Sequence, residues 1–150
     1  MFISTNYYMM ATEKEMVQEH FPDEYEIVDD PYLGYRIHIG KRSCGWKPLF
    51  QAHKNAYNSV SDMMKFIMNH PEIHIFDEYK NLLSMEQLKE ELVDWAEHQE
   101  KRIIDYEGVG KIQAPIDHVE ISKREVNRSW VIIKYWHDKN GYDFTDGEFS

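Results

Sequence analysis

The sequence predicts a single α+β domain over residues 1–150, mainly an antiparallel sheet with two to three helices, and three observations predict it. Tyr35 to Ile39 alternates, with Tyr35, Ile37 and Ile39 on one face and Arg36 and His38 on the other. Trp130 to His137 is a β-branched and aromatic run, read as a central strand, and the hairpin signal Asn140-Gly141 follows it. Ser84-Met85-Glu86-Gln87 is a capping box ahead of a stripe of Met85, Leu88, Leu92 and Trp95 at helical spacing. At 150 residues, with 42% hydrophobic and 14% aromatic side chains, the chain has the size and apolar content of one domain with its own core.

The remaining elements follow in order. Thr12 to Glu15 has capping-box form and opens a short helix that Pro22 closes. Glu24 to Val28 reads as a strand, and Asp29-Asp30-Pro31 as a turn. Gly40 to Gly45 reads as a loop, and Trp46 to His53 as the second strand of a hairpin, with Pro48 at an edge or bulge. Ser59 or Ser61 caps a helix through Asn69, and Pro71 ends it. Glu72 to Phe76 is a short strand, Tyr106 to Pro115 a loop and Ile116 to Ile121 a strand. Tyr142 to Phe144 folds back on the Trp130 strand. No internal repeat or low-complexity tract divides the chain.

Composition narrows the function. One cysteine, Cys44, leaves no intramolecular disulfide and no cysteine-only zinc cluster, and fits a reducing, cytoplasmic setting. No apolar run approaches the roughly 18 residues of a membrane span, and the first ten residues lack the pattern of a signal peptide, so no membrane partner is expected. A net charge of −10 disfavours direct nucleic-acid binding. The charge is uneven: Pro31 to Ser61 has five basic and no acidic side chains, while the other 119 residues hold 12 basic against 27 acidic ones. This reads either as a basic patch on an acidic body or as simple neutralisation of acidic neighbours.

The loop of that basic segment holds the candidate binding residues. Glycines let amides point into an anion-binding nest, Lys41 and Arg42 add charge, Ser43 a hydroxyl and Trp46 a stacking face. The loop is not a P-loop, because Arg42 and not Ser or Thr follows Lys41. His38, Lys41, Ser43 and Trp46 form the expected pocket, with Arg36 and Arg42 at its rim. A hairpin turn with solvated basic residues is the structural alternative. Eight histidines show no H-E-x-x-H spacing and read as scattered on the surface, so no metal and no cofactor is expected. Asp138, Asp143, Asp146 and Glu148 read as a solvated acidic end, since an EF-hand loop from Asp138 fails at Tyr142 and Asp143. Asp77-Glu78-Tyr79 reads as a polar turn or as paired carboxylates for acid–base work.

Thr5-Asn6-Tyr7-Tyr8, His38 to Trp46, Asp77-Glu78-Tyr79 and Gly147-Glu148-Phe149-Ser150 together resemble a family of small, mostly uncharacterised bacteriophage proteins. The elements span the chain. Two departures stand out: no Cys-x-x-Cys pair precedes His38, which argues against a zinc site there, and Lys80 stands where relatives carry glycine. The resemblance implies a phage origin and an accessory role during infection in the host cytoplasm, with no established catalytic residues.

Two function classes follow, neither of them catalytic. The first is a counter-defence inhibitor that captures a nucleotide-like immune signal, its phosphates on Lys41 and its base on Trp46. The second is an acidic inhibitor of a host defence protein, of anti-CRISPR or anti-restriction type. It would imitate nucleic acid with Glu86, Glu90, Asp94 and Glu97, and a solvated helix face is its plain counterpart. A small phosphodiesterase or nuclease using His38 and Asp77 is a third reading. A homodimer is compatible with all of them.

Overall fold

The computed structural model describes residues 4–43, 47–95, 119–126 and 129–149, with 119–126 and 129–132 described by their backbone. The elements are β1 (Ser4–Ala11), α1 (Lys14–His20), β2 (Glu26–Val28), β3 (Gly34–Ser43), β4 (Leu49–Gln51), α2 (Val60–Met68), β5 (His74–Asp77), β6 (Leu82–Leu83), α3 (Met85–Leu88), β7 (Val119–Val126), β8 (Ser129–His137) and β9 (Asp143–Thr145). The described strands form one nine-stranded sheet in the order β6-β5-β1-β3-β4-β9-β8-β7, with β2 beside β3. Every pair is antiparallel except β4 with β9. The α+β class predicted from sequence is therefore the observed one.

Local signals explain the helices unevenly. Ser59 caps α2 by accepting from the Asp62 amide at 3.2 Å. The Ser84–Gln87 capping box is present in both directions. α3 then passes into a π-helical turn over Lys89–Val93, and Glu97 lies outside the described residues. Thr12 does not cap α1, because Glu13 holds the N-cap position without a side-chain bond.

The three described helices contribute to one core on one face of the sheet. Tyr7 and Met9 of β1, Ile37 and Ile39 of β3, Phe50 of β4 and Phe144 of β9 pack with Val17, Met63, Phe66, Leu88 and Leu92. Phe50 stacks on Phe144 with ring centroids 5.3 Å apart. Among the described residues no helix is long and apolar enough to cross a membrane.

Two irregularities of β3 set up its opposite face. The first is its length: the strand runs on to Ser43 where a loop is expected from Gly40. The alternation breaks there because the register against β1 shifts between Tyr7 and Tyr8, which pair with Gly40 and His38 and leave Ile39 as an extra residue. The second is that β2 pairs with Gly34 to Arg36 and β4 with Gly40 and Lys41, both on the side of β3 away from β1. The sheet is split between them, at His38.

Candidate functional site

The register decides which predicted residues can act together. Asn6, Tyr8 and Met10 alternate along β1 and so share a face; their partners are Lys41, His38 and Arg36. Ser43 pairs with Ser4 on the same face. Four of the predicted pocket residues, Arg36, His38, Lys41 and Ser43, thus stand on the sheet face opposite the helices. Arg42 does not. It pairs with Thr5 on the helix side, donates to the Glu91 carbonyl oxygen at 3.0 Å and lies 4.7 Å from the centre of the Trp95 ring. Trp46 lies outside the described residues. Gly40 is no part of an anion nest: it is paired on both sides, and a Cβ there would sit 2.8 Å from the Leu49 carbonyl oxygen.

Around His38 four distant stretches of chain meet. The His38 Nε2 lies 2.9 Å from the Asn6 Oδ1, and the ring packs against Tyr8 at 5.4 Å and edge-on against Phe149 at 4.6 Å. Glu78 accepts from the Asn6 amide at 2.8 Å and returns its own amide to the Asn6 carbonyl at 2.9 Å. Gln51 donates to the Gly147 carbonyl at 2.8 Å and so ties the chain end to β4. Thr5–Tyr8, His38, Asp77–Tyr79 and Gly147–Phe149, remote in sequence, supply one cluster. Asn6, Tyr8, Gln51, Glu78 and Phe149 were not predicted as pocket residues. Three of the short motifs hold four of them, Asn6, Tyr8, Glu78 and Phe149, but only the register shows that they touch.

The His38 ring is held in one protonation state. Gln51 turns its NH2 toward the carbonyls of Thr145 and Gly147, which leaves Oε1 facing Nδ1 of His38 at 3.4 Å. Burial lowers the pKa of this imidazole from 6.5 to about 4, so the ring is neutral at neutral pH. The folded chain therefore binds a proton at His38 less readily than the unfolded chain does. Stability from this group is full above pH 6.5 and is lost as the pH falls toward 4. The loss reaches roughly 3 kcal/mol. Denaturant melts at pH 7 and pH 4 on the native chain and on His38→Phe check this: the native chain should lose more, and equal losses refute the assignment.

Where the sheet splits, His53 replaces a strand. It is buried and donates Nε2–H to the His38 carbonyl at 2.8 Å, with Nδ1 3.4 Å from Glu24 Oε2. A cavity of about 90 Å³ opens at the split, lined by Tyr8, Asp23, Glu24, Tyr25, Glu26, Arg36, His38 and Glu148. Arg36 is neutralised by Glu26 at 2.6 Å and lies 4.6 Å from the centre of the Tyr8 ring. The face thus has a sense of direction: hydrogen-bond-accepting carboxylates at the cavity, aromatic rings in the middle and Lys41 beyond them.

Other expectations are corrected. Asp77 is the register partner of Tyr7, on the helix side, while His38 pairs with Tyr8, so the two do not form an acid–base pair. Its carboxylate instead accepts from the Tyr79 and Asn81 amides, both at 2.9 Å. The acidic end is not wholly solvated, because Asp138 and Asp143 are buried. Asp143 pairs with the buried His137 at 2.6 Å. With His53 and His137 interior, the histidines are not simply scattered on the surface. Among the described residues no group of three or more His, Cys, Asp or Glu side chains is placed to hold a metal ion. Of the acidic helix residues, Glu86 and Glu90 are exposed, and Asp94 is half-buried and paired with Lys89 at 3.0 Å.

Comparison with models of known families, with curated proteins and with solved structures found no match for this chain.

Proposed function

We propose that the protein is a phage accessory factor that acts by binding, and that the sheet face around His38 captures a nucleotide-like ligand. The observation that carries this reading is the meeting of four remote segments on the face opposite the described helices, with rings, an amide and a lysine along it. A cavity of about 90 Å³ is too small for a whole nucleotide, since ligand pockets run to roughly 300 Å³ and more. The ligand lies across the face instead. Its sugar hydroxyls or exocyclic amine donate to Glu24 and Glu148 in the cavity, its base packs on Tyr8 and Phe149, and its phosphate reaches Lys41. Lys41 and Ser43 of the expected basic loop stand on this face, and Tyr8 and Phe149 supply stacking rings.

A thermal-shift and calorimetric screen against linear and cyclic nucleotides tests this. Saturation at about 100 times the dissociation constant should add about 2.7 kcal/mol of stability. Tyr8→Ala and Lys41→Ala should each weaken binding by about tenfold or more, equivalent to about 1.4 kcal/mol. Absence of any shift, or a shift unchanged in both variants, rejects the reading.

A further inference from the structure

On the helix side, at the β6 edge of the sheet, lies a groove of about 690 Å³ that the His38 face does not explain. Its floor is Ile73, Ile75 and Leu83, and Ile67 of α2 and Met85 of α3 stand at its sides. Met68 and Leu82 also line it, yet they are 68% and 62% exposed. Exposed large apolar side chains gathered in one concave site mark a surface built to be covered.

The charge around the groove says by what. None of its lining residues is a lysine or arginine. Glu72 sits between the lining residues Pro71 and Ile73, and Glu86 between Met85 and Gln87; both are exposed and, among the described residues, neither has an ion-pair partner. Two nearby lysines are already committed, Lys80 to Asp30 and Lys89 to Asp94. Lys65, three residues before Met68, has Asp62 one turn behind it.

We propose that this groove docks a cationic amphipathic segment of a partner protein. Apolar side chains of the segment fill the space between Met68, Leu82 and Met85, and its lysines or arginines pair with Glu72 and Glu86. Flexible methionines at two sides let the groove close on segments of differing shape. The acidic rim sets which sign of charge is admitted.

The test uses the full chain and three synthetic peptides: a Leu/Lys peptide with leucines at helical spacing, a Leu/Glu peptide of the same pattern, and a Lys/Ser peptide of equal charge without leucines. Fluorescence polarisation should show binding of the Leu/Lys peptide alone, the other two being weaker by about tenfold or more. Leu82→Asp and Glu86→Lys, both at exposed positions, should each reduce it with the fold intact by circular dichroism. Equal binding of the Leu/Glu peptide, no binding of the Leu/Lys peptide, or binding indifferent to both substitutions overturns the proposal. Sedimentation supplies the remaining arm: a dimer that Leu82→Asp converts to monomer assigns the groove to a second copy of this chain and likewise overturns it.

Discussion

Gly40→Val is expected to destabilise the protein by roughly 3 kcal/mol or more, lowering the melting temperature of a domain this size by about 6–12 °C. The added Cβ would sit 2.8 Å from the Leu49 carbonyl oxygen, 3.4 Å from the Phe50 Cα and 3.5 Å from the Leu92 Cδ2. Two of those neighbours are backbone, so a rotamer change relieves nothing. Among the described residues, the strand they belong to pairs with β3 at two positions, Gly40 with Phe50 and Lys41 with Leu49. Gly40→Ala should move in the same direction by less. A melting temperature within about 2 °C of native for the valine variant would show that β3 and β4 part at little cost, and the close-packing account of this glycine would then be wrong.

Asp138→Ala is expected to cost a similar amount, roughly 3 kcal/mol, by another route. One carboxylate serves two elements. Oδ2 accepts from the Val60 amide at the start of α2 at 2.9 Å, and Oδ1 accepts from the Asn140 and Tyr142 amides at 3.0 and 2.9 Å. The first bond joins helix and sheet across 78 residues of sequence, and the others shape the hairpin after β8. Alanine orphans three amide N–H groups, one of them in a buried residue. Asp138→Asn keeps an acceptor on one side and should recover part of the loss. Chemical denaturation of the three proteins measures it, and an alanine variant as stable as the native chain would remove Asp138 from the framework.

How much was legible follows from where the chain obeys one local rule at a time. Ser59 and the Ser84 box act within one helical turn, and both are readable. Asn140-Gly141 is also local: Gly141 adopts φ 86° and the turn closes through Asp138 and Tyr142. β1 was not predicted as a strand although it pairs with both β3 and β5, because most of both its faces is buried. Met9 and Met10 are adjacent and both interior, so the period of two never shows. The end of β3 was misplaced because the extra residue Ile39 reverses the alternation, which puts Lys41 and Arg42 on the faces opposite to those that counting from His38 suggests. The site shared that fate. Its residue types were visible in short motifs, but the contact of Asn6, His38 and Phe149 is a property of register and of the returning chain end. The buried Asp138 and Asp143 were read as solvated because nothing in a run of acids announces the amides and the histidine that receive them.

The narrow junction between β3 and β4 has a mechanical meaning. Among the described residues, two paired positions form the backbone ladder that ties the β6-β5-β1-β3 half of the sheet to the β4-β9-β8-β7 half. Pulled apart along that line, the sheet offers few rungs to break, and resistance passes to side chains: the His53 bond to the His38 carbonyl and the His38–Phe149 ring contact act as rivets across a short weld. Amide exchange should therefore divide along it. β1 and β3, laddered over eight paired positions, should exchange only through global unfolding, while the β3–β4 amides exchange through a cheaper parting of the two halves.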